Sequence, residues 1–347
     1  MKICVYAIAL NEAKHVERFC KSAADADYIL IGDTGSTDNT KQLGVAWGAD
    51  VVDITIKPWR FDHARNTVLA LLPDCDVCVS LDIDEVLTPG WREEIERLWK
   101  EDTTRMDYRY DWGKGHIFNA TKIHARHGYS WRYICHEMIY PDPRHTEVWA
   151  RTEKLLIQHL PDDSKSRSNY LDLLLADNLE KPTDPRAQYY LARELGYTYN
   201  WAESAEKWEI YLKNPLATWC HERCFAQIKL SICYQNLGNT TQALEAARNA
   251  TKEAEFIREP WVNLAEITQK QKKFAESFYA ATMALSITER CYVYTSDESV
   301  WGSRTYDAAA IAAHYTGLNG LALEYGMMAH TLNPEDPRLK SNLEWYR

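Results

Sequence analysis

The sequence is missing the marks of several large functional classes. No run of about 18 apolar residues interrupts its 347 positions, so no membrane-spanning helix is expected. No basic start leads into an apolar stretch, so no secretory signal is expected either. There is no GxxxxGK[ST], which excludes a P-loop, and no GxGxxG after the first predicted strand, which removes the usual dinucleotide fingerprint. Positive charge is in deficit: 40 Lys and Arg stand against 50 Asp and Glu, a formal net charge of −10. That balance argues against a broad nucleic-acid surface, while leaving room for a local basic groove. The nine cysteines are scattered and odd in number, and read as reduced, mostly buried thiols of a cytoplasmic protein. Cys75 and Cys78 form a CxxC with no second CxxC to match it, and Cys78 lies inside an apolar run, so a zinc or redox role is disfavoured.

What is present fits a globular protein with ample core: 46% of residues are hydrophobic, and the length suggests two domains. The first half alternates strand and helix. Lys2–Ala9 is an apolar run followed by Asn11-Glu12, then a helical pattern with Val16, Phe19, Cys20 and Ala23 on one face. Tyr28–Ile31 is a second run, stopped by the turn formers and N-caps of Gly32–Asp38, with a helix expected from there to about Trp47. Val51–Ile56 reads as a third strand, Ala64–Leu72 as a helix, Val77–Leu81 as a fourth strand, and Pro89 opens a helix through Trp99. Such alternation predicts a mostly parallel sheet with right-handed crossovers, and ligands bind such sheets at the carboxyl ends of the strands. Three polar clusters fall at those ends: Asn11-Glu12, Asp33–Asp38 and Asp82–Glu85.

The run "VCVSLDIDEVL", residues 77–87, delivers three carboxylates at the end of an apolar segment. On an extended strand, Asp82 and Asp84 point to one side while Ile83 faces the core. Two carboxylates hold a hard divalent cation well, and Mg²⁺ or Mn²⁺ so held bridges to substrate phosphates. The competing reading is an acidic helix cap, because Glu85 precedes the helix that Pro89 opens.

Asn11-Glu12, "IGDTGSTDNT" at 31–40, "ARN" at 64–66 and "LDIDE" at 81–85 occur in order, and this series resembles family 2 glycosyltransferases with a GT-A fold, over roughly residues 1–165. The resemblance implies a nucleoside-diphosphate sugar as donor, with UDP favoured, and a general base at Glu137 would imply an inverting transfer. Ala7 and Ala9 would line the nucleoside through their backbone, with Asn11 and Glu12 beside them. Asp33 would accept a hydrogen bond from the base, and Arg65 would lie against base or diphosphate. Asp82 would touch ribose or metal, and Asp84 would bind the metal. Ser36, Thr37 and Asp38 read as turn and cap residues. In "WRYICHEMIYP", 131–141, His136-Glu137 resembles a pair found near the acceptor hydroxyl, with Glu137 as general base and His136 orienting it; Trp131 is either an acceptor platform or core. His159, ending "KLLIQHLP", would be the third metal ligand, and an imidazole beside two carboxylates favours Mn²⁺ over Mg²⁺. Lys165 and Arg167 would close over the diphosphate.

From Asp184 onward the strands vanish and paired helical segments recur. Small residues sit seven apart, Ala243 with Ala250 and Ala322 with Ala329, and aromatics such as Tyr190, Tyr234 and Tyr315 are expected to fill the gaps between helices. The pattern resembles degenerate tetratricopeptide (TPR) repeats of about 34 residues. The fold expected is therefore α/β, a GT-A Rossmann-like mixed sheet over 1–165, a connection at 166–184 and an all-α TPR-like unit at 185–347. The helical unit would support the catalytic half, form a homodimer surface or hold the acceptor. The acceptor stays open between glycan, protein side chain and modified nucleobase. The rival function is a TPR scaffold carrying a degenerate transferase; a nucleotidyltransferase lacks its Gly-rich basic loop here.

Overall fold

The computed structural model describes residues 1–113, 115–162 and 170–347, in two compact units, Met1–Asp177 and Asn178–Arg347. Lys165 and Arg167 lie outside the described residues, as does the expected boundary at 165. Among the described residues no helix is long and apolar enough to cross a membrane.

The first unit runs β1 (Ile3–Ala9), α1 (Ala13–Ser22), β2 (Tyr28–Asp33), α2 (Thr40–Ala46), β3 (Asp50–Asp53), α3 (Phe61–Leu71), β4 (Val77–Ser80), β5 (Glu85–Leu87), α4 (Trp91–Leu98), β6 (Arg105–Asp111), β7 (Ile117–Ala125), β8 (Tyr129–Arg132), β9 (Met138–Pro141), β10 (Trp149–His159) and α5 (Tyr170–Glu180). Among the described residues, eight strands form one sheet in the order β3-β2-β1-β4-β7-β6-β10-β5, and β8 pairs with β9 separately. The β3-β2-β1-β4 half is parallel, as the alternation predicts. The other half is mixed: β7 runs antiparallel to β4 and β6, and β5 antiparallel to β10.

Alternating side chains of β1 divide the core. Ile3, Val5, Ala7 and Ala9 face one layer with Val16, Phe19 and Trp91, while Cys4 and Tyr6 face the other with Ala64, Val68 and Trp131. Trp131 is therefore core, not a platform; its indole Nε1 donates to the Tyr6 hydroxyl at 2.7 Å. Gly32 sits where β2 meets α3, and a Cβ there would stand 2.2 Å from the Val68 side chain.

Several elements differ from the sequence reading. β4 stops at Ser80, because Ile83 turns into the core and Glu85 begins a buried strand in place of a helix cap. The helix expected from Pro89 starts at Trp91, after Gly90 at φ 85°. Within the stretch 166–184, expected as a linker or helical connection, lies the helix α5.

The second unit is helical: α6 (Pro185–Tyr197), α7 (Trp201–Lys213), α8 (Cys220–Asn236), α9 (Thr240–Glu253), α10 (Arg258–Lys270), α11 (Phe274–Ser286), α12 (Ser303–Tyr315), α13 (Asn319–Leu332) and α14 (Pro337–Tyr346). Among the described residues these make four successive helix pairs and a final helix, a TPR-like array. Ala243, Ala250, Ala322 and Ala329 are fully buried, where their small size lets partner helices approach. Tyr190 and Tyr234 are buried between helices, but Tyr315 is not: it is 61% exposed and stacks on Phe274 with ring centroids 4.2 Å apart. The array is interrupted between α11 and α12 by an insert whose Tyr294 reaches back to donate to Glu222 and to sit against Trp219 and Tyr189.

Candidate active site

The sheet brings the acidic loops to one rim. β2 and β4 flank β1 in parallel, with Asp33 paired to Ala9 and the Leu81 amide donating to the Tyr6 carbonyl, so both loops leave the sheet at the same end. Ala7 and Ala9 are buried positions of β1, Ala9 its last residue, and the Ala9 carbonyl accepts from the Thr34 amide and hydroxyl, both at 2.9 Å.

Asp33 ends β2 fully buried. Its Oδ1 accepts the amides of Gly35 and Ser36 at 2.9 and 2.8 Å, which shapes the turn. Its Oδ2 is buried and has no hydrogen-bond partner among the described residues. A buried carboxylate oxygen without a donor is costly, and the position is suited to a ligand N–H. The rest of the loop is spent on structure. Asn11, at φ 55°, receives the Thr37 amide on Oδ1 at 2.8 Å and donates its own amide to the Ser36 hydroxyl at 2.8 Å. Asp38 accepts the amides of Ala13 and Thr40, and Thr40 Oγ1 accepts the Glu12 amide, so Glu12 is fixed as the N-cap position of α1.

The second acidic loop is a tight turn. The Asp82 carbonyl accepts the Glu85 amide at 2.9 Å, and Glu85 Oε2 accepts the Asp82 amide at 3.0 Å. This reciprocal pair gives Asp82 and Asp84 different neighbours. Arg65 donates to Asp82 Oδ1, and Lys122 Nζ lies 3.3 Å from Asp82 Oδ2. Lys122 also reaches Glu85 Oε1 at 2.5 Å, and the Tyr110 hydroxyl donates to that same oxygen at 2.6 Å. Burial opposes charge on Asp82, but the cations Arg65 and Lys122 outweigh it and hold the carboxyl below its ordinary range. For Lys122, burial is likewise outweighed, by Asp82 and Glu85, so its ammonium is favoured. Glu85 has no exposed surface and its pKa is raised, first by burial and then by Asp82, against the pull of Lys122.

Arg65 ties this turn to the loop between β8 and β9. α3 buries it over the Trp131 ring, 4.8 Å from the centroid, and its Nε donates to Glu137 Oε1 at 2.5 Å. Tyr133 and His136, at φ 81° and 54°, take the left-handed conformation that turns this short loop; non-glycine residues adopt it rarely. The His136 ring stacks on Tyr170 with centroids 5.8 Å apart.

Asp84 meets His159 instead. β5 and β10 pair antiparallel with His159 opposite Glu85, and the Leu160 amide donates to the Asp84 carbonyl at 2.8 Å. His159 Nε2 is 3.3 Å from Asp84 Oδ2, and Trp112, 53% exposed, packs its ring 4.4 Å from the imidazole. Burial disfavours the imidazolium, but the contact with Asp84 outweighs it and raises the His159 pKa. Two donors on one small divalent ion, each about 2.1 Å from it, lie roughly 3 Å apart, so the Asp84–His159 spacing fits a shared ion as well as an ion pair. Among the described residues no third His, Cys, Asp or Glu completes such a group. The fit is thus to a site of two side chains whose remaining positions go to water and substrate oxygens, as is usual for Mg²⁺. Among the described residues Asp82 and Asp84 share no common partner.

Lys122, Tyr110 and Trp112 were not singled out by the sequence reading. Lys122 arrives through the antiparallel pairing of β7 with β4, where Val79 faces Ile123. The one signal was a lysine in the middle of a segment otherwise reading as strand.

No family model matches the chain. Over 99 residues in its N-terminal part it is 31% identical to an uncharacterized glycosyltransferase of Rickettsia bellii and 31% identical to another of Rickettsia conorii; the match covers 28% of this chain and 33% and 34% of those proteins. Over that stretch the chain resembles glycosyltransferases. It spans about a third of the length of the curated relatives it matches. Among solved structures, the glucosyl-3-phosphoglycerate synthase of Mycobacterium tuberculosis, in complex with Mn²⁺, UDP and glucosyl-3-phosphoglycerate, is 27% identical over 31% of this chain and 44% of that one, with a TM-score of 0.28. The TPR protein YrrB aligns with 50% of this chain and 81% of its own at 10% identity and a TM-score of 0.41. Cut9 in complex with Hcn1 aligns with 52% and 32% at 12% identity and a TM-score of 0.42.

Proposed function

We propose that the first unit is a glycosyltransferase that moves a sugar from a nucleoside-diphosphate donor, with UDP favoured, to a nucleophilic acceptor, with inversion. The observation that carries this reading is the fully buried Asp33, whose Oδ2 has no donor among the described residues and which lies on the same rim as the Arg65–Asp82–Lys122 cluster. An acceptor-only group in that position selects a base edge that presents an N–H, as uracil N3 does.

In this reading Arg65 and Lys122 face the diphosphate, and Asp82, held ionised between them, fixes both and meets the ribose. Asp84 and His159 would hold Mn²⁺ or Mg²⁺, which supplies Lewis-acid stabilisation of charge on the leaving diphosphate. Glu137 is the general base. Arg65 engages its Oε1, while Oε2 has no hydrogen bond among the described residues and is the atom that receives the acceptor proton. Trp112, exposed beside His159, takes the platform role that Trp131 cannot fill.

Calorimetry of the full chain with UDP, with and without Mn²⁺, tests the donor assignment, followed by a screen of UDP-sugars for slow hydrolysis. Metal-dependent UDP binding that Asp84→Ala removes in a folded protein supports the reading. An Asp84→Ala protein that binds UDP and Mn²⁺ like wild type refutes the metal assignment, and no nucleotide binding at all favours the scaffold alternative.

A further inference from the structure

The CxxC that the sequence reading set aside has a third thiol beside it. Cys4 of β1 and Cys78 of β4 are register partners on adjacent parallel strands, so their side chains leave the same face of the sheet. Cys75, just ahead of β4, brings its Sγ to 3.7 Å from Cys78 Sγ, and all three sulfurs belong to one buried cluster. Cys4 and Cys78 have almost no exposed surface, whereas Cys75, at 9%, is the most exposed of the three. Arg126 donates to the carbonyls of Ala70, Leu72 and Pro73, which anchors its guanidinium beside the Cys75 loop. The neighbouring Cys4 and Cys78 thiols and, behind them, the Arg126 charge favour the Cys75 thiolate against the opposing effect of burial, while Cys75 and burial push the Cys4 and Cys78 thiols up. None of the nine cysteines is in a disulfide.

We propose that Cys75, Cys78 and Cys4 form a peroxide-reactive thiol site, in which Cys75 is the attacking sulfur and Cys78 or Cys4 resolves it to a disulfide. The Cys75 thiolate attacks a hydroperoxide: an S–O bond forms, the O–O bond breaks, and the leaving alkoxide or hydroxide takes a proton. The neighbouring thiol then attacks the sulfenic sulfur: an S–S bond forms, the S–O bond breaks, and hydroxide leaves as water with the thiol proton. Two thiols lose two electrons in all, and one hydroperoxide is reduced. The sulfurs need to close from 3.7 Å to about 2.05 Å, a movement within reach of side-chain rotation and a small shift of the Cys75 loop. The site is independent of the glycosyl-transfer reading.

The test treats the folded full chain with hydrogen peroxide, quenches with N-ethylmaleimide under denaturing conditions and maps the adducts by mass spectrometry. The expected result is loss of two of the nine alkylations, with a disulfide joining Cys75 to Cys78 or Cys4. Dimedone should trap the sulfenic acid at Cys75 ahead of the less buried Cys220 and Cys291. Cys75→Ser should abolish the disulfide; dimedone mapping on the wild-type chain gives the same answer should that variant fold poorly. Nine intact alkylations at a peroxide dose that oxidises Cys220 or Cys291, or a Cys4–Cys78 disulfide in Cys75→Ser, overturns the proposal.

Discussion

Lys122→Met is the sharpest test of how the candidate site is held. The ammonium lies 2.5 Å from the fully buried Glu85 and 3.3 Å from Asp82, with only 23% of its side chain exposed. Removing one partner of a buried ion pair costs about 3–5 kcal/mol, because the other charge is left uncompensated. The partial exposure of Lys122 puts the expected loss at the low end, about 3 kcal/mol at pH 8. The loss should shrink in acid. The folded-state pKa of Glu85 is already raised above its ordinary value by burial and by Asp82, and without Lys122 it rises further. A group with a raised folded pKa contributes stability below its unfolded pKa and loses it as pH rises through the folded one. The variant's deficit is therefore greatest at pH 8 and smaller at pH 5, where Glu85 takes up a proton. Hydrogen exchange of the β4 and β7 amides reads this locally, without assuming that both units unfold together. Adding Glu85→Gln to Lys122→Met should restore more than half of the loss. A deficit under about 0.5 kcal/mol at pH 8, or one that does not change with pH, refutes the assignment of Glu85 as the stranded charge.

The other predictions follow from single groups. His124 is fully buried, its Nδ1 facing the Ala125 carbonyl and its Nε2 the Tyr6 hydroxyl, and burial pushes it down to about 4. Its neutral form thus contributes stability that is lost as pH falls from about 6.5 to about 4, on the order of 3 kcal/mol in total. His124→Gln should flatten that acid limb, and an unchanged limb in urea melts would count against it. Glu137→Gln should lower turnover by about 10²-fold or more with donor affinity within a few-fold of wild type; wild-type turnover would move the base elsewhere. Asp33→Asn keeps the turn-forming Oδ1 but can present an N–H₂ where the base N–H is expected, so uridine affinity should fall about tenfold or more in titration calorimetry. Equal affinity would remove Asp33 from the donor site.

The features legible in the sequence were those set by local periodicity and turn chemistry. The parallel half of the sheet followed from short apolar runs alternating with helical ones, and the helix pairing of the second unit from small residues seven apart. The place of Asp33 at the end of its strand was legible because turn formers crowd there. Lys122 was not, since its place depends on which strand β7 pairs with, a contact made 40 positions away from Asp82. The turn at Asp82–Glu85 was misread for a related reason. "LDIDE" alternates like a strand, but the side chain of Glu85 closes onto the Asp82 amide, and a three-residue strand, β5, forms only because β10 is there to pair with it. Tyr315 does pack across to Phe274 of α11, as expected of an aromatic between helices, but its place at the last residue of α12 leaves it exposed, which the repeat pattern does not show.

The charge of the assembled rim bears on why a cation would be needed at all. Among the described residues of the rim, Arg65 and Lys122 are already engaged by Asp82, Glu85 and Glu137, and Asp84 adds a fourth carboxyl group beside His159. A nucleoside contributes no charge and has only to satisfy Asp33, whereas a diphosphate brings two or more negative charges into this surplus of carboxyl groups. Like charges in a partly buried site repel by several kcal/mol. On the proposed reading, uridine should therefore bind equally with or without Mn²⁺, while UDP should bind tightly only with it. Metal-independent UDP binding as strong as the metal-dependent binding would mean that Arg65 and Lys122 release Asp82 to the diphosphate, and that Asp84 and His159 serve only as an ion pair.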